Sequence, residues 1–358
     1  MENKYQKLLE CLKVGNQGVV YATRFPGKEM GKVSELQQGF AKQLQIPEEK
    51  IASVLQGGEP LLERHGREEV FLEPFYQKER LIILGGGHVA VPLVKLAKMT
   101  GFYVVVADDR REFANEERFP EADRVLCGSF VECIKQAEPT ASDYVVIVTR
   151  GHSEDTTCIQ ALCDYPEPHY TGLIGSRRRT TIVFQNLERE GYDAGRLHRI
   201  CTPIGLDIGA KTIEEIDIAI MAEIIQRRRQ GLPEEQAKDL ATQEKGLSYI
   251  DRTDHDERVL EALSQVQEPC VAATIMKVEG SAPRDAGARM IIYPDGRLIG
   301  SIGGGCVEHM VIHMAQSMAG SGRYQILRVN LDGKAAMAEG MVCGGRIQVL
   351  LEDVQNTV

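Results

Sequence analysis

Short apolar runs alternate with helical periodicity through the middle of the chain. Leu81-Ile82-Ile83-Leu84 contains no polar position, the pattern of a strand buried on both faces. Gly85, Gly87 and Ala90 follow in GxGxxA spacing and lead into residues 91–99, whose apolar positions predict a helix. Residues 103–107 read as a second strand that ends at Asp108, 23 residues after Gly85. Further strands are expected at 124–127, 144–149 and 170–174, each followed by helical spacing. Thr212-Ile213-Glu214-Glu215 is a capping box that opens a helix running to Arg229. Strands alternating with helices predict an α/β fold, a Rossmann-like, doubly wound parallel sheet over residues 78–230.

Two stretches without such periodicity bound this block: residues 73–80, and an acid-rich stretch from 231 to about 258, of which 231–256 is expected to be a linker. The flanks share an internal repeat. Residues 8–23 align without gaps on 259–274 with six identities, and 66–73 align on 345–352 with five. The first copy is 28 residues shorter between those anchors and lacks the glycine–cysteine motifs of the second. The expected organisation is a degenerate small domain at 1–75, the Rossmann-like domain at 78–230, and an intact small domain at 257–358. Chance similarity between short helix–strand segments is the alternative.

Composition narrows the function classes. The 358 residues are 43% hydrophobic and 26% charged, which is globular, and two to three domains are expected at this length. A formal net charge of −10 argues against a nucleic-acid backbone as partner. No run of about 18 apolar residues suggests a membrane span, and the polar start lacks the apolar core of a signal peptide. Nine cysteines without a CxxC pair resemble neither a disulfide framework nor a zinc ribbon, and fit reduced thiols in the cytosol.

The chemistry concentrates in Gly300-Ser301-Ile302-Gly303-Gly304-Gly305-Cys306, which runs into an amphipathic stretch at 307–319. Glycines let backbone N–H groups curl around an anion, and the start of a helix favours negative charge. A thiol at that point is expected to have a lowered pKa. A second motif, Gly340-Met341-Val342-Cys343-Gly344-Gly345, supplies a companion thiol. Together they suggest a site for a phosphorylated ligand that also takes soft sulfur. A metal site from Cys306, His309 and His313 is disfavoured, because structural zinc takes four more tightly paired ligands. In the central block, Asp108 is expected to accept from a ribose hydroxyl, and Arg110 or Arg111 could meet a 2′-phosphate, leaving NAD against NADP open. A Rossmann-like domain without a dinucleotide is the alternative. Arg177, Arg178 and Arg179 stand where a late strand hands over to a helix, able to grip phosphate or simply solvated.

At these residues the sequence resembles the XdhC/CoxI family of xanthine dehydrogenase accessory proteins. The resemblance runs through Glu279-Gly280-Ser281-Ala282-Pro283-Arg284 and both glycine–cysteine motifs. It continues through the Gly85–Ala90 turn, Asp108, Arg110, Phe119-Pro120, residues 172–178 and residues 203–210. It implies a cytoplasmic chaperone that binds molybdenum cofactor (molybdopterin, in its plain or dinucleotide form). Such a chaperone protects the cofactor, presents it for sulfuration by a cysteine desulfurase, and helps insert it into an apo-molybdenum hydroxylase. On that resemblance Cys306 and Cys343 contact molybdenum or its sulfur. Ser301, Gly303, Gly304, Gly305 and Gly344 cradle the phosphate. The flanks become a degenerate and an intact XdhC/CoxI-type α/β domain. In relatives the glycine–cysteine domain precedes the Rossmann-like one; here the intact copy follows it, and a homodimer is expected to restore the arrangement. The rival readings are an NAD(P)-dependent oxidoreductase using the Gly85–Ala90 turn, and a scaffold carrying a persulfide on Cys306.

Overall fold

The computed structural model describes residues 3–14, 18–26, 30–230, 256–330 and 345–354. Two compact units emerge, one from residues 1–77 together with 250–358, the other from residues 78–249.

The amino-terminal flank contributes α1 (Lys4–Val14), β1 (Val19–Phe25), β2 (Met30–Lys32), β3 (Gln37–Phe40), α2 (Glu48–Gly57), β4 (Leu61–His65) and β5 (Glu68–Phe75). Four of its strands form an antiparallel sheet in the order β3-β1-β5-β4. Helix α2 ends at Gly58, whose φ of 72° provides the left-handed cap.

The middle block is the expected doubly wound sheet. Its elements are β6 (Arg80–Leu84), α3 (Ala90–Met99), β7 (Tyr103–Asp108), β8 (Arg124–Cys127), α4 (Phe130–Ala137) and β9 (Tyr144–Ile147). They continue with α5 (His152–Leu162), β10 (Tyr170–Leu173), α6 (Arg177–Arg189), α7 (Ala194–His198) and α8 (Ile213–Gln230). All five strands are parallel, in the order β10-β9-β6-β7-β8. Successive side chains of the central β6 go to opposite faces. Ile82 and Leu84 pack with Phe130, Ile134, Ile159 and Leu187 from α4, α5 and α6. Leu81 and Ile83 pack with Leu93, Ile220 and Ile224 from α3 and α8. Each such side chain contributes about 1.5–3 kcal/mol on burial, which is why four consecutive apolar residues mark this strand. The strand order reverses between β6 and β9, so the sheet's switch point lies at the carboxyl end of β6.

The carboxy-terminal flank adds α9 (Glu257–Ser264), β11 (Cys270–Glu279), β12 (Arg289–Ile292), β13 (Leu298–Gly300), α10 (Gly305–Gln316), β14 (Arg323–Asn330) and β15 (Arg346–Val354). Its sheet has the order β13-β12-β11-β15-β14-β2. The repeat seen in the sequence reappears as topology: β3-β1-β5-β4 and β12-β11-β15-β14 have the same antiparallel pairing. Thr23 faces Gln38 and Tyr21 faces Glu73 in one half; Thr274 faces Arg289 and Ala272 faces Glu352 in the other.

The flanks are not separate bodies, however. Strand β2, from the amino-terminal flank, pairs with β14 of the other flank through Arg323↔Lys32, Tyr324↔Gly31 and Gln325↔Met30. Gly31 lets the Tyr324 ring lie close over the pairing, since a Cβ there would come within 2.7 Å of it. The two halves also exchange buried polar contacts. Glu73 accepts from Arg289 at 2.5 Å, and Arg289 donates its Nε–H to Thr274 at 2.7 Å. Glu352, the repeat equivalent of Glu73, accepts from Lys4 at 2.5 Å and from Gln38 at 2.7 Å. Burial opposes the charge on Lys4, but the Glu352 carboxylate outweighs it and raises the Lys4 pKa above its ordinary value. These residues enclose a cavity of about 20 Å³, room for roughly one water.

Candidate functional site

The turn before α10 is built on left-handed backbone: φ is 80° at Gly300, 120° at Gly303, 73° at Gly304 and 67° at Gly305. A Cβ on Gly300 would meet the Arg289 carbonyl oxygen at 2.6 Å, and one on Gly303 would meet Pro283 at 2.7 Å. Both conformation and space therefore exclude other residues here. Helix α10 begins at Gly305, so Cys306 stands in its first turn, as the sequence indicates. Two N–H groups of the turn already have acceptors: Gly303 donates to Ser301 Oγ at 3.0 Å and Ile302 to Glu308 Oε1 at 3.4 Å. Glu308 is a residue to which the sequence assigned no role in this turn. Its position three residues past Gly305, near the start of a helix, is the signal that could have found it. Cys343 and Gly344 lie outside the described residues, as does the side chain of Cys306. His309 and His313 stack edge-on with ring centroids 6.3 Å apart. Among the described residues no group of three or more His, Cys, Asp or Glu side chains gathers for a metal ion.

Burial governs several of the described thiols. Burial pushes Cys133 and Cys201 up to about 11 and Cys270 up to about 12, and raises Cys158 well above the ordinary thiol value. Cys133, Cys158 and Cys270 behave as small core residues, whereas Cys201 is half-buried and accepts from Arg227 at 3.5 Å.

In the Rossmann unit, the turns after β6, β7, β9 and β10 carry Gly85–Ala90, Asp108–Arg110, Thr149–Arg150 and Ser176–Arg178 to the carboxyl edge of the sheet. Gly85 has φ 118°, and its Cβ would lie 2.4 Å from the Val148 carbonyl oxygen, so the loops after β6 and β9 touch at the switch point. The tightest approach is at Gly86, which the GxGxxA pattern leaves as a free position: a Cβ there would be 2.0 Å from the Phe113 carbonyl oxygen. Gly87 has open space in front of it. Arg177 and Arg178 open α6; Arg178 is exposed, and the side chain of Arg177 lies outside the described residues.

Asp108 ends β7 and is 1% exposed. Its carboxylate accepts from the Gly86 N–H at 2.8 Å and from the Arg110 N–H, Nε–H and Nη2–H, each at 2.9 Å. Burial alone would raise its pKa; the Arg110 guanidinium and the two backbone donors prevail and lower it. Arg110 lies 3.7 Å over the Phe113 ring. Arg118 donates to the carbonyl oxygens of Gly86 and Gly87 at 3.0 and 3.3 Å. The chain's own segment after Asp108 thus fills the donor positions that a ribose diol would use. Elsewhere in the Rossmann unit, Asp217 in α8 is fully buried with no hydrogen-bond partner on either carboxylate oxygen. Burial, with Glu214 nearby, pushes its pKa up to about 7. Nothing in the sequence marks it, because an acid one turn into a helix normally faces water.

A parallel Rossmann sheet, accompanied by a duplicated antiparallel α/β unit with a glycine-bedded cysteine at a helix start, defines the class of protein. Its middle block, residues 81–224, matches the family model described as the XdhC Rossmann domain, and residues 263–330 match that of the XdhC and CoxI family. The chain belongs to the XdhC and CoxI family. Relatives include the uncharacterized protein YqeB of Escherichia coli, 32% identical over 45% of this chain and 29% of its own length. A Bacillus subtilis protein described as a probable xanthine dehydrogenase subunit is 33% identical over 45% of this chain and 46% of its own. The molybdenum cofactor insertion chaperone PaoD of E. coli is 35% identical over 24% and 27%. The matched stretches thus span less than half of each of these relatives. A solved structure from Bacillus halodurans, described as a xanthine dehydrogenase, is 24% identical with a TM-score of 0.46, covering 68% of this chain and 65% of that one. Among the described residues no helix is long and apolar enough to cross a membrane.

Proposed function

We propose that the protein binds molybdenum cofactor as cargo and helps deliver it to a xanthine dehydrogenase-type hydroxylase. The observation that carries this reading is the glycine turn at 300–305, which puts Cys306 in the first turn of α10 in a chain of this family. A helix start favours the thiolate, and thiolate suits a soft metal or its sulfur. The N–H groups of Ser301, Gly304 and Gly305 are the donors proposed for the cargo's phosphate, with Gly303, whose own N–H bonds Ser301 Oγ, shaping the turn around it. Cys343 and Gly344 are proposed to join from the second motif. The same reading extends to protection of the cargo, its sulfuration with a cysteine desulfurase, a cytoplasmic setting and a homodimer. Gly85, Gly87, Ala90, Arg177 and Arg178 are proposed to hold a further phosphate, whether of a dinucleotide form of the cargo or of NAD(P). The oxidoreductase alternative needs Asp108 for a ribose, and four donors on that carboxylate weigh against it.

The test is purification from a molybdopterin-producing host, followed by assay of bound pterin fluorescence and molybdenum. Cys306→Ala is expected to lose both at unchanged Tm. Full retention by the variant, or absence of both from the unaltered protein, overturns the assignment.

A further inference from the structure

Strands β11 and β14 end, and β15 begins, at one end of the carboxy-terminal sheet, and residues there line a cleft of about 220 Å³. Its walls are Lys277, Glu279, Arg328, Arg346 and Gln348. The register explains how they meet. Lys277 and Arg328 flank Gln348 in one row across the sheet; Glu279 and Asn330 flank Arg346 in the next. A β-bulge between Ile275 and Lys277 makes this possible. Ile275 and Val278 both go to the core under α10. Without the bulge the strict alternation of a strand would send Lys277 into that core alongside Ile275. The irregularity therefore re-aims a lysine onto the face already occupied by two arginines.

Three cations on adjacent strands repel one another, a cost that a folded sheet does not need to carry. The carboxylates nearby offset it partly. Lys277 pairs with Glu279 at 2.7 Å, and Arg328 reaches Glu69 at 3.5 Å. Arg346 remains as the third cation between them. At the floor, Gln348 Oε1 is buried without a hydrogen-bond partner. The amide is thus set to bond an incoming group, through oxygen or, rotated, through nitrogen.

We propose that this cleft binds a phosphate or pyrophosphate group between Lys277, Arg328 and Arg346, with Gln348 bonding a polar group next to it. Guanidinium and ammonium groups lining one cleft from adjacent strands suit multidentate recognition of a dianion. The site lies on the sheet face opposite α10, so it is distinct from the glycine bed before that helix. The inference does not rest on the cargo reading: a chain that retains no molybdenum can still bind an anion here.

Calorimetric titration of the full chain with inorganic pyrophosphate, and separately with ADP, tests it. Saturable binding of pyrophosphate is expected, weakening at least tenfold in Lys277→Gln/Arg346→Gln. Both substituted side chains are on the surface, so the Tm should hold. Arg297→Gln, which changes a remote exposed cation paired with Asp295 and Glu268, should leave binding unchanged. Equal affinity for the two probes assigns the cleft to the diphosphate itself. Tighter ADP binding that Gln348→Leu abolishes assigns it to a phosphorylated organic ligand. No saturable binding at millimolar pyrophosphate, unchanged binding in the double variant, or an equal loss in Arg297→Gln overturns the proposal.

Discussion

Asp217 has the least ordinary environment of any single side chain described. Its carboxyl is protonated more readily in the folded state, with a pKa of about 7, than in the unfolded chain, where about 3.9 is normal. The folded protein therefore holds a proton that the unfolded chain releases between about pH 4 and 7, and stability must fall as pH rises through that window. Above pH 7 the penalty is complete, about 4 kcal/mol as an upper bound from the shift. Asp217→Asn removes the titration. Thermal melts should find the variant more stable than the parent at pH 8, with the difference vanishing near pH 4. Equal pH profiles for the two proteins would refute this account of Asp217. Asp108 illustrates the opposite balance: equally buried, it remains ionised because Arg110 and two N–H groups meet it. Its place at the end of a strand after a glycine turn is legible in the sequence. Its saturation by Arg110 is not, because that depends on how residues 109–118 fold back over the turn.

At the scale of elements, the Gly85–Gly87 turn separates two glycines that look alike on paper. Gly86→Ala puts a methyl group into the Phe113 carbonyl, backbone against backbone, and neither side can yield cheaply. Gly87→Ala meets nothing within 4 Å. The first should destabilise the Rossmann unit by about 3 kcal/mol or more, and the second by less than about 1 kcal/mol. Urea titration followed by circular dichroism can separate them, and equal midpoints would show that the 109–118 segment moves freely. The strands β6, β7 and β9 are readable from sequence because each is dominated by a run of buried apolar residues. The glycine turn leading to Cys306 is readable for a different reason, since only glycine tolerates its dihedrals. Strand β2 is not readable: Met-Gly-Lys has no alternation, and its partner lies at residues 323–325. The cleft at Lys277 is equally hidden, because a bulge shifts the alternation by one residue.

At the scale of the whole molecule, the repeat is an internal pairing in which each half completes the other. The Glu73–Arg289 contact crosses between halves and is nearly inaccessible to water, with side chains 7% and 5% exposed. Removing one partner strands a charge: Glu73→Ala should cost about 3–5 kcal/mol, whereas Glu73→Leu with Arg289→Met should recover most of the loss. Chemical denaturation of the three proteins measures this, and a double variant no more stable than Glu73→Ala would mean that no stranded charge accounts for the loss. The Rossmann unit, by contrast, is contiguous along the chain, which is why its boundaries follow from periodicity while those of the flanks do not. The insertion of one unit between the halves of the other also sets an order of assembly. Strand β15 sits between β11 and β14, and a ribosome makes it after every other strand described. The inserted unit can fold while synthesis continues, but residues 4–75 must wait for a partner sheet almost three hundred residues downstream. During that interval Phe25 and Phe71 lack their final cover and β2 lacks its partner β14, so nascent chains stalled after residue 230 should be the species that aggregates or recruits a holdase.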